Sequence, residues 1–417
     1  MIVDAARQFT HAFASVRGEL ADRSSEFDTF DQAVEQYYSA EFLPRLNSYR
    51  KEAAQVTEFW PPDAAARLLQ YFFIAGNENE TGSKQLLDHG KDYSSYSATH
   101  EIYHPAIRSF LEEFGYYDIF LVERNSGHIV YSVFKEVDFG TSLLTGPYKD
   151  TNFAEVFRKA RESNNPDDIF IEDFQPYAPS YDGQASFIAS PIFDGDEHVG
   201  VLIFQMPVSR INAIMTSNGD WSSVGMGETG ETYIVGSDQT ARSQLRQLLE
   251  APELFASTML ATGLEQEQIA QILERKDPIG ILPVASGASE SAFRGDSGSG
   301  LFTSFTGESV LAAYRPLEIE GLDWSIVSEI AELEAFAPID RLRNRLLILT
   351  VVLLLLGIFF ASLLARSLTR PIRALAESAK SLAAGKLDEK VAKPSNDEIG
   401  DLAENFENMR QKLISNW

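Results

Sequence analysis

Apolar residues follow different rhythms along this chain, and each rhythm predicts a different kind of element. From Leu346 to Ala365 there is no rhythm at all, because the run LLILTVVLLLLGIFFASLLA contains no charge. At about 1.5 Å per residue a helix of this length covers about 30 Å, the thickness of a bilayer's hydrocarbon core. A helix buried in a soluble core seldom runs so far without a polar face. The segment therefore predicts a membrane-spanning helix. Behind it, apolar residues recur at Leu368, Ile372, Leu375, Ala379 and Leu382, and again at Ile399, Leu402, Phe406, Met409 and Leu413. These three- and four-residue steps are heptad seams that need partner helices to bury them. Gly385 suits the left-handed cap of the first helix. The connector from Lys386 to Asn396 is polar except for Leu387 and Val391, which would pin it against the helices. Asp397 and Glu398 fall in the first turn of the second helix, where carboxylates face the positive end of the dipole. Two helices joined in this way make one half of a parallel four-helix bundle, so the segment implies a homodimer.

Ahead of the span the pattern is helical from Ile2 to about Gln70 and continues through Ala65–Ile74. A Gly-, Asn- and Ser-rich loop follows (76–97), then a short helix around Pro105 to Phe114. The period then changes to that of strands. Asp118–Glu123 and His128–Phe134 are joined by Arg-Asn-Ser-Gly, a hairpin signal. A helix is predicted at Asn152–Glu162, with strands at Ile169–Phe174, Gln184–Phe193 and His198–Met206. This order describes a PAS-like antiparallel sheet on a helical stalk. A weaker second copy reads as a strand at Glu231–Val235, helices near 243–262 and 264–275, and strands near Gly300–Phe305, Ser309–Tyr314 and Trp324–Ile330. The fold class is therefore α+β. The predicted divisions are a helical stalk at 1–75, a membrane-distal module at 76–210, a membrane-proximal module at 211–340, the span at 346–365 and the helical relay at 366–417.

A PAS-like sheet offers a pocket beneath the segments that cross it, and aromatic walls with a few convergent polar groups suit a small organic ligand. Tyr131 and Lys135, four residues apart on or just after the second strand, share a face. Asp138 lies past the strand's end. Tyr117, Tyr148 and Phe187 approach from neighbouring segments. A Lys and an Asp together suit the carboxylate and amine of a zwitterion, or else pair with one another to pin the loop.

Two motifs point elsewhere. His100-Glu-Ile-Tyr-His104 satisfies H-E-x-x-H, which on a helix would bind zinc with Glu101 as general base. That would make the protein a membrane-anchored metalloprotease. Pro105 follows directly, however, and disfavours helical geometry at His104, so a structural or capping role is expected for both histidines. Gly225-Met-Gly-Glu-Thr-Gly230 satisfies G-x-G-x-x-G, but a strand follows it where a dinucleotide site needs a helix. Its glycines are expected to make turns.

Charge narrows the function further. Residues 341–417 hold 12 Lys and Arg and 8 Asp and Glu; removing these from the chain's 35 and 61 leaves 23 basic and 53 acidic residues in 1–340. Such an acidic region repels phosphate backbones, so no nucleic-acid partner is expected. The absence of cysteine excludes disulfides and a thiol nucleophile, and nothing implies a cofactor. Arg341, Arg343 and Arg345 before the span balance Arg366, Arg370 and Arg373 after it, so the positive-inside rule gives no direction. The start, Met1-Ile-Val-Asp, does not resemble an export signal. The expectation is that an upstream signal or span, and an effector after Trp417, belong to a longer protein.

The relay segment resembles the HAMP module of bacterial receptors, on Arg370-Pro371-Ile372, Gly385-Lys-Leu387 and Asp397-Glu398-Ile399-Gly400. The resemblance implies that Pro371, Gly385, Leu387, Val391, Glu398 and Gly400 serve the relay. HAMP modules are cytoplasmic, which places residues 1–345 on the outer side of the inner membrane. Residues 1–335 resemble the double Cache sensors, on Phe114-Gly-Tyr-Tyr-Asp-Ile-Phe120, Tyr131-Ser-Val-Phe-Lys-Glu-Val-Asp-Phe139, Gly146-Pro-Tyr148 and Gly227-Glu-Thr-Gly-Glu-Thr-Tyr233. This implies a non-enzymatic receptor with a small-molecule ligand in the distal module, set in membrane lipid and acting on a kinase, cyclase or chemotaxis effector. The chain departs from the family at Ala241-Arg-Ser-Gln-Leu245, where members carry Ser-Asp-Ser, so no ligand is expected in the proximal module. The remaining alternative is a structural or adhesive ectodomain, which would have no use for the HAMP features.

Overall fold

A computed structural model describes residues 1–221, 223–393 and 395–415; Pro394 of the connector lies outside them. The chain divides into two compact units, residues 1–335 and 336–417.

The first unit opens with α1 (Ile2–Glu19), which buries Ala5, Ala6, Phe9, Ala12, Phe13 and Val16 along one face. The helical pattern does not continue unbroken to Gln70. A 3-10 turn at Ala21–Glu26 separates α1 from α2 (Phe27–Tyr37), and α3 (Leu43–Asn47) follows a single wide turn. Short helices α4 (Val56–Phe59) and α5 (Ala64–Gln70) come next. Each break has a local cause. At α4 the Gln55 N–H donates to Glu58 (2.8 Å), and at α5 the Asp63 carboxylate accepts the Ala65 N–H (2.7 Å), so both starts are capped in their own right.

The next helix corrects the sequence reading. α6 spans Ser95–Phe114 with Pro105 inside it, rather than starting near Pro105. Ser94 caps it, and Gly115 (φ +75°) ends it in the left-handed conformation. Tyr96, His100 and His104 all lie on its buried face. Packing of these rings outweighs the single hydrogen bond that proline removes.

The distal sheet contains β1 (Asp118–Val122), β2 (Ile129–Ser132), β3 (Phe170–Tyr177), β4 (Gly183–Asp194) and β5 (Glu197–Gln205), with α7 (Asn152–Glu162) as its crossover. The strand order is β2-β1-β5-β4-β3, antiparallel throughout. β1 reads as a continuous apolar run because both its faces are covered. Ile119 and Leu121 pack with Phe9 and Phe13 of α1, while Phe120 and Val122 pack with Phe153 and Phe157 of α7.

After α8 (Val208–Met215) comes the proximal sheet: β6 (Glu231–Gly236), β7 (Gly298–Thr303), β8 (Ser309–Ile319) and β9 (Leu322–Ala331), in the order β6-β9-β8-β7. Helices α9 (Arg246–Glu250), α10 (Pro252–Ala261), α11 (Gln266–Arg275) and α12 (Gly287–Phe293) lie between β6 and β7 in sequence. Tyr233, Val235, Val310 and Val327 face this helical layer. The opposite face carries Ile234, Leu322 and Trp324, which pack with Phe174 of the distal sheet. Gly225 and Gly227 adopt positive φ ahead of β6, so the G-x-G-x-x-G run forms turns as expected.

The two modules meet at Asp173. Its carboxylate accepts the Trp324 indole N–H (3.0 Å) and two N–H groups of Arg242, at 3.0 Å from Nε and 2.9 Å from Nη2. The rings of Phe174 and Trp324 stack beside it, 5.9 Å apart and 5° from parallel.

β9 runs directly into α13 (Glu332–Leu364), which holds the apolar segment and is long and apolar enough to cross a membrane. In the second unit α14 (Arg370–Ala383) follows a wide turn, and Gly385 (φ +77°) closes it. α15 (Glu398–Ser415) is capped by Asp397, whose carboxylate accepts the N–H groups of Ile399 (3.0 Å) and Gly400 (3.1 Å). Gly400 is required there, since a Cβ would stand 1.8 Å from the Ser395 carbonyl oxygen. Leu387 and Val391 are half-buried. The connector is also tied by its backbone, with Arg410 donating to the Leu387 carbonyl (2.7 Å) and the Val391 N–H to Glu407 (2.9 Å).

Arg242 is 3% exposed and retains only Asp238 (3.0 Å) as a carboxylate partner once Asp173 is removed. Asp173→Ala should therefore destabilise the sensor by about 1–3 kcal/mol, the cost of losing hydrogen bonds to a charged group while Asp238 still pairs with Arg242. Urea unfolding checks this, and an unchanged midpoint would refute the role given to the tie.

Candidate functional site

The site grows from the end of β2. Asp118, fully buried at the start of β1, accepts three backbone N–H groups, from Ile119 (2.6 Å), Val133 (2.8 Å) and Phe134 (3.2 Å). These bonds hold the turn that leaves β2, in which Lys135 takes a positive φ of 58°. The Lys135 ammonium donates to the Ser132 carbonyl and lies 4.5 Å from the Tyr131 ring centroid and 5.2 Å from that of Phe139. Burial pushes the Asp118 carboxyl up and the Lys135 ammonium down, while the charge of each opposes the other's shift.

Tyr131 faces the helical side of the sheet. The Nε2 of His104 sits 2.6 Å from the Gln85 carbonyl and must carry the proton; Nδ1 then accepts from the Tyr131 hydroxyl at 2.7 Å. His100 Nδ1 donates to the Asp88 carbonyl (2.7 Å). Burial lowers both histidines, His104 to about 2, so both rings are neutral. The H-E-x-x-H residues do share a helix, but both imidazoles serve the core. Among the described residues no group of His, Asp and Glu is arranged to hold a metal ion.

The opposite side of the sheet gathers Asp138, Tyr148 and Phe187 around Tyr177. The Tyr177 hydroxyl donates to Asp138 Oδ2 at 2.5 Å, and the Tyr177 ring lies 5.9 Å from Tyr148 and 5.2 Å from Phe187. Asp138 Oδ1 and the Tyr148 hydroxyl are buried without a hydrogen-bond partner. The stalk positions this segment: Gln70 donates to the carbonyls of Val137 (2.9 Å) and Phe139 (2.8 Å), and Tyr38 to that of Val137 (3.1 Å).

A cavity of about 180 Å³ opens beside these groups, lined by Tyr117, Lys135 and Glu136 together with Arg45, Lys84 and Tyr181. Glu136 accepts the hydroxyls of Tyr117 (3.1 Å) and Ser180 (3.3 Å). Burial, with the charges of Asp138 and Asp118, holds its carboxyl well above the usual range. Of the six residues expected from sequence, Tyr117 and Lys135 line the cavity. Asp138, Tyr148 and Phe187 form the neighbouring cluster, and Tyr131 is turned to His104. Sequence reasoning missed Glu136, Tyr177, Arg45 and Lys84. Glu136 stands inside the Phe-Lys-Glu-Val-Asp run already singled out; the two cations come from the stalk and the loop after it, where no periodicity signals a site.

The Cache domain model matches residues 20–339. The chain belongs to the Cache family. The HAMP domain model matches residues 363–415, so a sensory region, a candidate membrane helix and a HAMP region follow one another along this Cache receptor. Families of this kind are typical of non-enzymatic receptors. A search of curated proteins gives no match. Similar solved structures include the ligand-binding domain of the Pseudomonas aeruginosa amino acid chemoreceptor PctB with L-Arg (14% identity, covering 56% of this chain and 80% of that one, TM-score 0.34). The ligand-binding domain of the Pseudomonas fluorescens chemoreceptor CtaA with L-leucine matches at 12% identity, 78% and 99% coverage and TM-score 0.32. The extracellular domain of the putative histidine kinase vpHK1S-Z8 matches at 12% identity, 78% and 93% coverage and TM-score 0.35.

Burial raises the Asp138 carboxyl to about 6, against an unfolded value near 4. The folded Cache domain therefore holds this proton more tightly than the unfolded chain, and stability falls as pH rises from about 4 to about 6. Asp138→Asn keeps an acceptor for Tyr177 and removes this loss. The variant should gain about 2–3 kcal/mol on the wild type between pH 4 and pH 8. Parallel urea titrations at the two pH values measure the difference, and parallel stability curves would contradict the assignment.

Proposed function

We propose that this chain is the sensing and relay portion of a bacterial inner-membrane receptor, and that its distal module binds a small zwitterion in the cavity beside Glu136. The observation that carries the reading is the pairing of opposite charges in one small space. Arg45 and Lys84 suit a carboxylate, whereas Glu136 suits an ammonium group. Tyr117 and Tyr181 supply the aromatic wall. Residues 1–75 act as the stalk, 76–210 and 211–340 as the distal and proximal modules, and 366–417 as the relay. The sensor stands outside the membrane and the HAMP region in the cytoplasm.

The relay works as a homodimer in this reading. Leu368, Ile372, Leu402, Met409 and Leu413 of the predicted seams are between 40% and 53% exposed in the single chain. A second copy would bury them as a parallel four-helix bundle. Pro371, Gly385, Leu387, Val391, Glu398 and Gly400 then fix the helix starts, the cap and the connector. A ligand acts by its difference in affinity for two arrangements of the sensor, which the span passes to the bundle as a small displacement.

Calorimetric titration with a zwitterion selected by thermal-shift screening of amino acids tests the site. Glu136→Gln and Arg45→Ala should each weaken binding about tenfold or more, the loss of one charge-assisted contact, and Tyr131→Phe should change it less than about twofold. Full affinity in both charge variants would sink the assignment. For the relay, Leu375→Pro in a receptor fused to a kinase output domain should abolish the ligand response while leaving ligand affinity unchanged; a normal response would show that the seam is not used.

A further inference from the structure

The proximal module has a cavity of its own, and its lining is unlike that of a packed core. β6 and β9 place Glu231 directly opposite Glu329, so the two carboxylates stand on the same face of the sheet. They are 9% and 6% exposed. Like charges paired across strands destabilise a sheet, and burial adds a desolvation cost. No cation of the described chain forms an ion pair with either one. The Arg246 guanidinium donates instead to Glu250 (2.7 Å) and to the carbonyls of Gly227 and Gly230 (both 3.0 Å); only its backbone N–H reaches Glu231, at 3.0 Å. Glu329 accepts the Tyr233 hydroxyl (2.9 Å) on Oε2. The Gln247 side-chain carbonyl, on the same wall, is also buried without a partner. The space these groups border is about 300 Å³, with Leu254 and Val310 providing an apolar side, Glu250 and Glu308 adding negative charge, and Arg246, tied to Glu250, also on its wall.

We propose that this cavity is a second ligand site, for a small organic cation whose ammonium group is received by Glu231, Glu329 and Gln247 while its carbon chain lies against Leu254 and Val310. An ammonium supplies an N–H donor for the Gln247 carbonyl and a positive charge for the two carboxylates. Burial raises both carboxyls to about 7, the charge of Glu231 adding to the effect at Glu329; a bound cation would favour their ionised forms. Among the described residues no three such groups come together as a metal site needs, and the apolar side formed by Leu254 and Val310 favours an organic cation.

The site adjoins the start of the helix that leads to the span. Glu228, Thr229 and Ala331 also line the cavity. The N–H groups of Glu228 (2.7 Å) and Thr229 (2.8 Å) donate to Glu334 in the first turn of α13, as does the Thr229 hydroxyl (2.6 Å), which in turn accepts the Ala331 N–H (3.0 Å). Gly227 permits this clasp, since a Cβ there would lie 2.2 Å from the Glu334 carboxylate. An occupant therefore rests against the bonds that fix the first turn of α13, and can bias them without passing through the distal module.

The test uses the 417-residue chain in lipid nanodiscs, titrated calorimetrically with 1,4-diaminobutane, butylamine and magnesium chloride. The amines should bind and magnesium should not. Glu231→Gln and Glu329→Gln should each weaken the diamine at least about tenfold. Leu254→Trp, at a surface position that tolerates change, should weaken it similarly by filling the cavity without altering charge. Asp138→Asn in the distal module should leave it within about twofold. Absence of amine binding at millimolar concentration overturns the proposal. So does equal binding by magnesium, which would mark a general acidic surface, or diamine affinity that survives all three proximal variants or is lost in Asp138→Asn. Failure of the distal reading would instead appear as loss of the zwitterion with diamine binding intact.

Discussion

The joint on which the rest of the sensor depends is β9, the strand that leads into α13. It is an inner strand of the proximal sheet, paired with β6 on one side and β8 on the other, and α13 begins at the residue after its last one. Trp324 of this strand shares the Asp173 carboxylate with Arg242 and stacks on Phe174. The distal module thus holds, through one carboxylate and one ring pair, the strand that enters the span. A buried bidentate guanidinium–carboxylate contact is directional as well as attractive. It resists rotation of one sheet against the other, and would carry a change in the distal sheet to β9 in the proposed relay.

Buried carboxylates are the second common thread. Asp118, Asp138, Glu231 and Glu329 are all nine-tenths or more buried, and burial raises all four. Apolar residues of similar volume would hold these sheets together at least as well. Burying them costs stability, and in the proposed second site a guest facing Glu231 and Glu329 would recover part of that cost and so gain the differential affinity a conformational shift requires.

Much of this was legible in the chain because period reports burial. The predicted helix at Asn152–Glu162 matches α7, and the predicted strands overlap β1 to β9. The places where reading failed share a cause. α6 was expected to start near Pro105, because local propensity sees the lost N–H and not the aromatic packing of Tyr96, His100 and His104. The stalk was read as one helical stretch because apolar spacing persists through its capped breaks. In the site, Asp138, Tyr148 and Phe187 were named from motif and strand position, and they do cluster. Tyr131 packs on α1 and α6 beside Phe9 and His104, whereas Lys135, in the turn past β2, lines the distal cavity. Arg242 lay in the segment noted only as a departure from the family, and its partner Asp173 is 69 residues away. No pattern along a single strand or helix encodes such a pair.

The acidity of the sensor looks different in this light. As a composition it excluded nucleic acid and little else. In the structure, part of that acidity is withdrawn from solvent and placed against two cavities; Arg45 and Lys84 line the first, while Arg246, bonded to Glu250, lines the second. Arg45 and Lys84 stand with Glu136 in the distal cavity; in the proximal one the Arg246 side chain is bonded to backbone carbonyls as well as to Glu250. The first arrangement suits a guest with both charges, and the second suits a guest with one. Two modules of the same architecture can thus differ in what they accept through the placement of a few stalk and helix cations, while the sheet beneath remains the same.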